Sequence, residues 1–169
     1  MKFEFLNKEI WILSFGGAFQ RANVYKKNID ENLRKEFRKS IQFKIEEYVE
    51  KYYVHHSPTS DKHCNNLIEI KKWVDGNFSQ ILSKNEIKLG VVQKLLNLYL
   101  KYLWCLGKVS KPPHCPIDRI IISKLNIENP PNWTTLNDIR DYMNIVEKIT
   151  QNANGIDIAD WELKAFERR

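Results

Sequence analysis

A chain of 169 residues, 43% apolar and 28% charged, fits one domain of ordinary size with a core of its own. Its 27 Lys and Arg against 21 Asp and Glu give a net charge of +6 and a pI near 9.1, which admits a polyanionic partner without requiring one. No apolar run approaches the roughly 18 to 20 residues of a membrane span, and Met1 to Ile10 mixes Lys, Glu and Asn with its apolar residues, so neither membrane nor secretory leader is expected.

In chain order, Glu9 to Phe19 reads as a buried apolar helix whose Gly16-Gly17 permits close approach or a bend. Asn28 with Glu31 has the spacing of a capping box, and Ile29, Leu33, Phe37, Ile41, Ile45, Tyr48 and Tyr52 then recur every three or four residues, the stripe of a long amphipathic helix. A loop from Tyr53 to Ser60 precedes a helix over Lys62 to Asp75, capped at Ser60 or Asp61, turning Leu67, Ile70 and Trp73 inward and stopping at Gly76. A short helix at Ser79 to Ser83, a turn from Asn85 to Gly90 and a largely buried helix from Val91 to Leu106, closed by Gly107, follow. Lys108 to Ile117 carries three prolines and is a loop; Asp118 to Leu125, Asn137 to Asn152 and Asp157 to Phe166 read as helices. The expectation is an all-α bundle of about seven or eight helices, a single domain over 1–169 that leaves room for two lobes.

Cys64, Cys105 and Cys115 are an odd, widely spaced set that suits a reducing compartment and reads as small buried apolar residues. His63-Cys64 and His114-Cys115 are adjacent pairs, and neighbours rarely both reach one ion, so no metal is expected. A cytoplasmic, nucleoid-associated monomer is the expectation. Glu69-Ile70-Lys71 and Glu86-Ile87-Lys88 echo the Glu-x-Lys of metal-dependent nucleases, a site that needs strands this chain does not offer.

The most informative stretch is Lys88 to Ile122. A short helix, a turn through Leu89-Gly90-Val91 and a long helix have the order of a helix-hairpin-helix, in which a glycine turn aims backbone N–H groups at a DNA phosphate and the following helix N-terminus adds partial positive charge. Gly90-Val91-Val92-Gln93-Lys94 resembles the G-V-G-x-K hairpin of the helix-hairpin-helix DNA glycosylases, with Val92 at the second glycine. Pro116-Ile117-Asp118-Arg119-Ile120 resembles their P-V-D segment. The tail from Tyr142 through Val146, Lys148-Ile149 and Gly155-Ile156 to Trp161 and Leu163 is similar to the end of that superfamily's helical domain, the archaeal 8-oxoguanine glycosylases being the nearest branch. The likeness covers roughly Asp61 to Phe166; residues 1–60 match loosely, and the four C-terminal cysteines of the iron-sulfur branch are lacking, so no cofactor is expected.

The resemblance implies that Lys94 attacks the anomeric carbon of a damaged or modified nucleotide in double-stranded DNA, while Asp118, at a helix N-terminus, stabilises the positive sugar and helps move protons. A Schiff base that can proceed to strand cleavage follows. Attack needs a neutral lysine, which burial among Val91, Val92, Leu95 and Leu98 favours. Leu89, Gly90, Val91 and Gln93 would grip DNA backbone, Gln20 and Arg21 would wedge into the duplex, and Trp104, His114, Trp133 and Trp161 are available to line a pocket for the flipped base.

Taken singly, these residues have plainer roles: a lysine on an apolar helix snorkels, a Pro-x-Asp caps a helix, and Asp157, Asp160 and Glu162 are capping and surface charge. A non-catalytic helix-hairpin-helix DNA-binding module and an all-α adaptor with an exposed aromatic face are the competing functions.

Overall fold

The computed structural model describes residues 1–166. Seven α-helices and one 3-10 turn make a bundle around a single apolar core, and no strand is present among the described residues. The helices are α1 (Lys2–Phe19), α2 (Glu31–Tyr52), α3 (Ser60–Phe78), α4 (Leu89–Cys105), α5 (Arg119–Ser123), α6 (Ile139–Ala153) and α7 (Ile158–Ala165). None is long and apolar enough to cross a membrane.

The axis of the bundle is α4, buried at every residue from Leu89 to Lys101. Against it lies α1, which starts seven residues before Glu9 and buries only Ile10, Trp11, Ser14 and Ala18, so one stripe rather than the whole helix is inside. The two glycines of α1 do different things. A Cβ on Gly17 would come 2.6 Å from Leu98 Cδ1, so that glycine allows the close approach to α4, whereas a Cβ on Gly16 would meet nothing within 4 Å. The indole of Trp11 stacks on Tyr99 of α4 at 4.1 Å between ring centroids and donates to Glu46 Oε1 of α2 at 2.8 Å, tying three helices together.

Several helix ends fall elsewhere than the sequence pattern suggests, each for a local reason. Asp30, not Asn28, caps α2: its Oδ1 accepts from the Asn32 N–H at 2.8 Å, while Asn28 sits outside the helix at φ +60. Thr59 caps α3 through the Lys62 N–H, and the helix runs on through Gly76 to Phe78. Ser79 to Leu82 is not helical; Leu82 makes an isolated antiparallel bridge with Tyr25, and a single 3-10 turn follows at Ser83–Asn85. The turn before α4 is thus preceded by a single 3-10 turn, where the helix-hairpin-helix expectation called for a helix.

Gly90 is fixed by packing. A Cβ there would lie 1.7 Å from the Trp133 carbonyl oxygen, and the Gly90 N–H donates to the Leu136 carbonyl at 2.8 Å. The 130–136 loop is thereby laid on the start of α4. Because the obstructing atom is backbone, Gly90→Ala should cost about 3 kcal/mol or more, above the usual range for an overpacked core. Urea unfolding measures it; a loss below about 1 kcal/mol would show that the loop yields easily.

Candidate functional site

The loop between α4 and α5 brings Asp118 back to the beginning of α4. Buried Gln93 holds it there. Its Nε2 donates to the Ile117 carbonyl at 2.7 Å and the Gly90 carbonyl at 2.9 Å, and its Oε1 accepts from the Ile117 N–H at 3.1 Å. Both backbone groups of Ile117 are thus met by one side chain. One turn along α4, Asn97 Nδ2 donates to the Cys115 carbonyl at 3.0 Å, fixing the same loop a second time.

With Ile117 clamped, Asp118 has its two oxygens divided between two tasks. Oδ1 accepts from the N–H groups of Ile120 and Ile121 at 2.9 and 3.0 Å, capping α5. Oδ2 accepts from Lys94 Nζ at 2.7 Å. Burial opposes ionisation of the carboxyl, but the Lys94 charge and hydrogen bond, with the Ile121 and Ile120 amides, outweigh it and hold Asp118 below the usual carboxylate range. The lysine side chain is 8% exposed and the aspartate 25%. Both open into one cleft of about 360 Å³, walled by Gly17, Gln20 and Arg21 at the end of α1 and by Trp133.

Arg21 and Arg119 stand at its mouth, both exposed, with no carboxylate partner among the described residues. The same two arginines line an adjoining hollow with Ile122, Pro131 and Thr134, which makes the region beside the Lys94 cleft cationic. Arg119, Tyr102 and Phe166 have no role assigned from sequence; the fold brings them together at the cleft.

The other residues singled out from sequence divide clearly. Leu89, Gly90, Val91 and Gln93 are all buried, and the amides of the turn are used within the chain: Leu89 N–H donates to Asn137 Oδ1 at 3.3 Å, Gly90 to Leu136 and Val91 to the Lys88 carbonyl. A phosphate approaching those amides would have to displace these partners. Of Trp104, His114, Trp133 and Trp161, only Trp133 lines the Lys94 cleft. Cys105 is exposed rather than buried. Glu162 is not surface charge: it is 3% exposed and meets buried Lys101 of α4 at 2.8 Å, while Asp157 and Asp160 pair with Lys111. Glu86 is paired with Lys71 and Lys88, which ties α3 to the turn before α4.

Behind the loop lies a polar core that sequence patterns did not reveal. His114 Nδ1 meets the Tyr142 hydroxyl and its Nε2 meets Ser60 Oγ, both at 2.8 Å. His63 packs edge-on to His114 with ring centroids 4.6 Å apart, and its Nδ1 meets the Tyr53 hydroxyl at 2.8 Å. No group of three or more His, Cys, Asp or Glu among the described residues could hold a metal ion. Comparison with protein-family models, with curated proteins and with solved structures finds no match to this chain.

The histidine pair sets an acid limit on the fold. Burial lowers His114 from 6.5 to about 4, and burial with the neighbouring His114 lowers His63 well below its ordinary value. Between those values an unfolded chain binds protons that the folded one refuses, so stability falls as pH falls. His114 alone should remove about 3 kcal/mol between pH 6.5 and 4. Glu162, raised by burial against the pull of Lys101, titrates in the opposite sense, so the histidine share is isolated by comparison with His114→Gln. Urea unfolding at several pH values should give a shallower acid slope for that variant; equal slopes would remove the histidine from the account.

Proposed function

We propose that the chain is a DNA glycosylase with an associated lyase activity, excising an oxidised or otherwise modified base from double-stranded DNA. The observation that carries this reading is the 2.7 Å pair of Lys94 and Asp118 opening into a cleft between unpaired arginines. Buried ion pairs that only stabilise a fold gain nothing from a wall of open space, and replacing them by apolar residues is often neutral or better. An amine and a carboxylate held together at the bottom of a cationic cleft suit attack on an anomeric carbon.

In that reaction the bond from C1′ to the base nitrogen breaks and its electron pair leaves with the base, which is protonated. Asp118 offsets, as a carboxylate, the positive charge that grows on the sugar; it takes a proton from the Lys94 ammonium and passes it to the departing base, and the free amine bonds to C1′. Ring opening gives a Schiff base, and loss of a C2′ proton expels the 3′ phosphate. Arg21 and Arg119, exposed beside the cleft, would hold phosphates flanking the extruded nucleotide. Trp133 offers a face against which a flipped base can stack.

The test is borohydride trapping on a panel of duplexes carrying modified bases or an abasic site. Wild type should form a covalent adduct and Lys94→Gln none. Asp118→Asn is a discriminating variant, because asparagine caps a helix as well as aspartate does, so α5 should survive while the charge is lost. Its excision rate should fall roughly 10²- to 10⁴-fold, the range for a positioned acid–base group, with duplex affinity retained. Salt-sensitive duplex binding without any adduct or base release would instead identify a non-catalytic DNA-binding module.

A further inference from the structure

Adjoining the Lys94 cleft at Gly16 and Gln20, the molecule carries a second and larger concavity, about 660 Å³, open to solvent between α1 and α2. Its floor is apolar and aromatic: Trp11, Ile12, Phe15 and Phe19 from α1, with Tyr25 at one end. Ile12 is 64% exposed there, which no intramolecular contact explains. Gly16 contributes a notch, since a Cβ at that position would meet nothing within 4 Å. A mid-helix glycine costs roughly 1 kcal/mol relative to alanine, and here no packing within the chain requires it.

The rim has one sign of charge. Lys8, Lys35, Arg38 and Lys39 line the groove and no Asp or Glu does. Lys8 is matched by Glu4 and Arg38 by Glu31, whereas Lys35 and Lys39 have no carboxylate partner among the described residues. The α1 wall extends from Lys8 to Gln20, about 18 Å at 1.5 Å per residue, the length of a little over three helical turns.

We propose that this groove is a docking site for an acidic amphipathic helix of a partner protein. Apolar anchors spaced i, i+3 or i+4 and i+7 would lie along the Trp11–Phe15–Phe19 floor, one of them in the Gly16 notch, and flanking Glu or Asp would meet Lys35 and Lys39. A second copy of this chain is disfavoured, because it would set basic rim against basic rim. The groove uses neither Lys94 nor Asp118, so the inference stands whether or not the glycosylase reading does.

The experiment uses the full chain and a synthetic helical peptide of about 13 residues with leucines at the anchor spacing and glutamates flanking them, the length following from the α1 wall at roughly 1.5 Å per residue. Its counterpart with lysines replacing the glutamates is the control. The acidic peptide should bind saturably in the micromolar range, shift the NMR signals of the Trp11 indole and the Ile12 methyls, and weaken as salt rises. Lys35→Glu with Lys39→Glu should weaken it about tenfold, the equivalent of roughly 1.4 kcal/mol. Ile12→Asp, a change at an exposed position, should weaken it as well. Absence of binding, equal binding of both peptides, or binding indifferent to all three substitutions would overturn the proposal. So would failure of the acidic peptide alongside loss of anionic-vesicle or duplex binding in the double variant, which would assign the groove to a lipid surface or to nucleic acid.

Discussion

A helix buried on every side cannot carry two lysines, a glutamine and an asparagine unless the rest of the chain is arranged to meet them. Gln93, Lys94, Asn97 and Lys101 occupy successive turns of α4, and each is under one-tenth exposed. Each polar group left without a partner costs on the order of 1 to 3 kcal/mol, more for the charges, and of these four side chains only Asn97 leaves one, its Oδ1. The loop from His114 to Asp118 is the answer to that constraint. It has no regular structure of its own, and its path is set by Gln93 and Asn97 gripping the backbone at Ile117 and Cys115. The position of Asp118 follows from that grip.

The two lysines are solved differently, and the difference separates structure from chemistry. Lys101 is sealed: it meets Glu162 of α7 on one side and the ring of Phe166 at 3.9 Å on another. Lys94, two turns earlier on the same helix, has one carboxylate partner and open space beyond it. Close packing of α1 through Gly17 and of the 130–136 loop on Gly90 forms the walls of that space without filling it. A cleft with a buried amine at its base therefore results from two glycines placed where neighbouring backbone or side chain comes closest.

Much of this was legible in sequence where the signal is periodic or local. The seven helices, the unstructured proline loop and Asp118 as the residue heading a helix all follow from apolar spacing, prolines and capping chemistry. Pairing Lys94 with Asp118 rested on motif order, and the fold brings them to hydrogen-bonding distance. What could not be read was which polar residues are inside. Gln93 falls within the segment that resembles the hairpin and so reads as a DNA contact, and Glu162 reads as surface charge; each is buried by a partner distant in sequence, Ile117 in one case and Lys101 in the other. His114 was read as an aromatic for a base pocket, yet Ser60 and Tyr142 enclose it from two other helices. Arg119 lies in the segment that resembles P-V-D but carries no role there; it reaches the site because Asp118, its neighbour, is held there.

If the arrangement around α4 exists to present one amine, that amine should be the one that bonds to DNA, among 20 lysines and the Met1 amine. The most direct measurement is tandem mass spectrometry of the borohydride-reduced adduct after proteolysis and nuclease digestion. The account predicts the deoxyribose-derived mass on the peptide that contains Lys94, at that side chain. An adduct located on Lys101, on the Met1 amine or spread over surface lysines would contradict it.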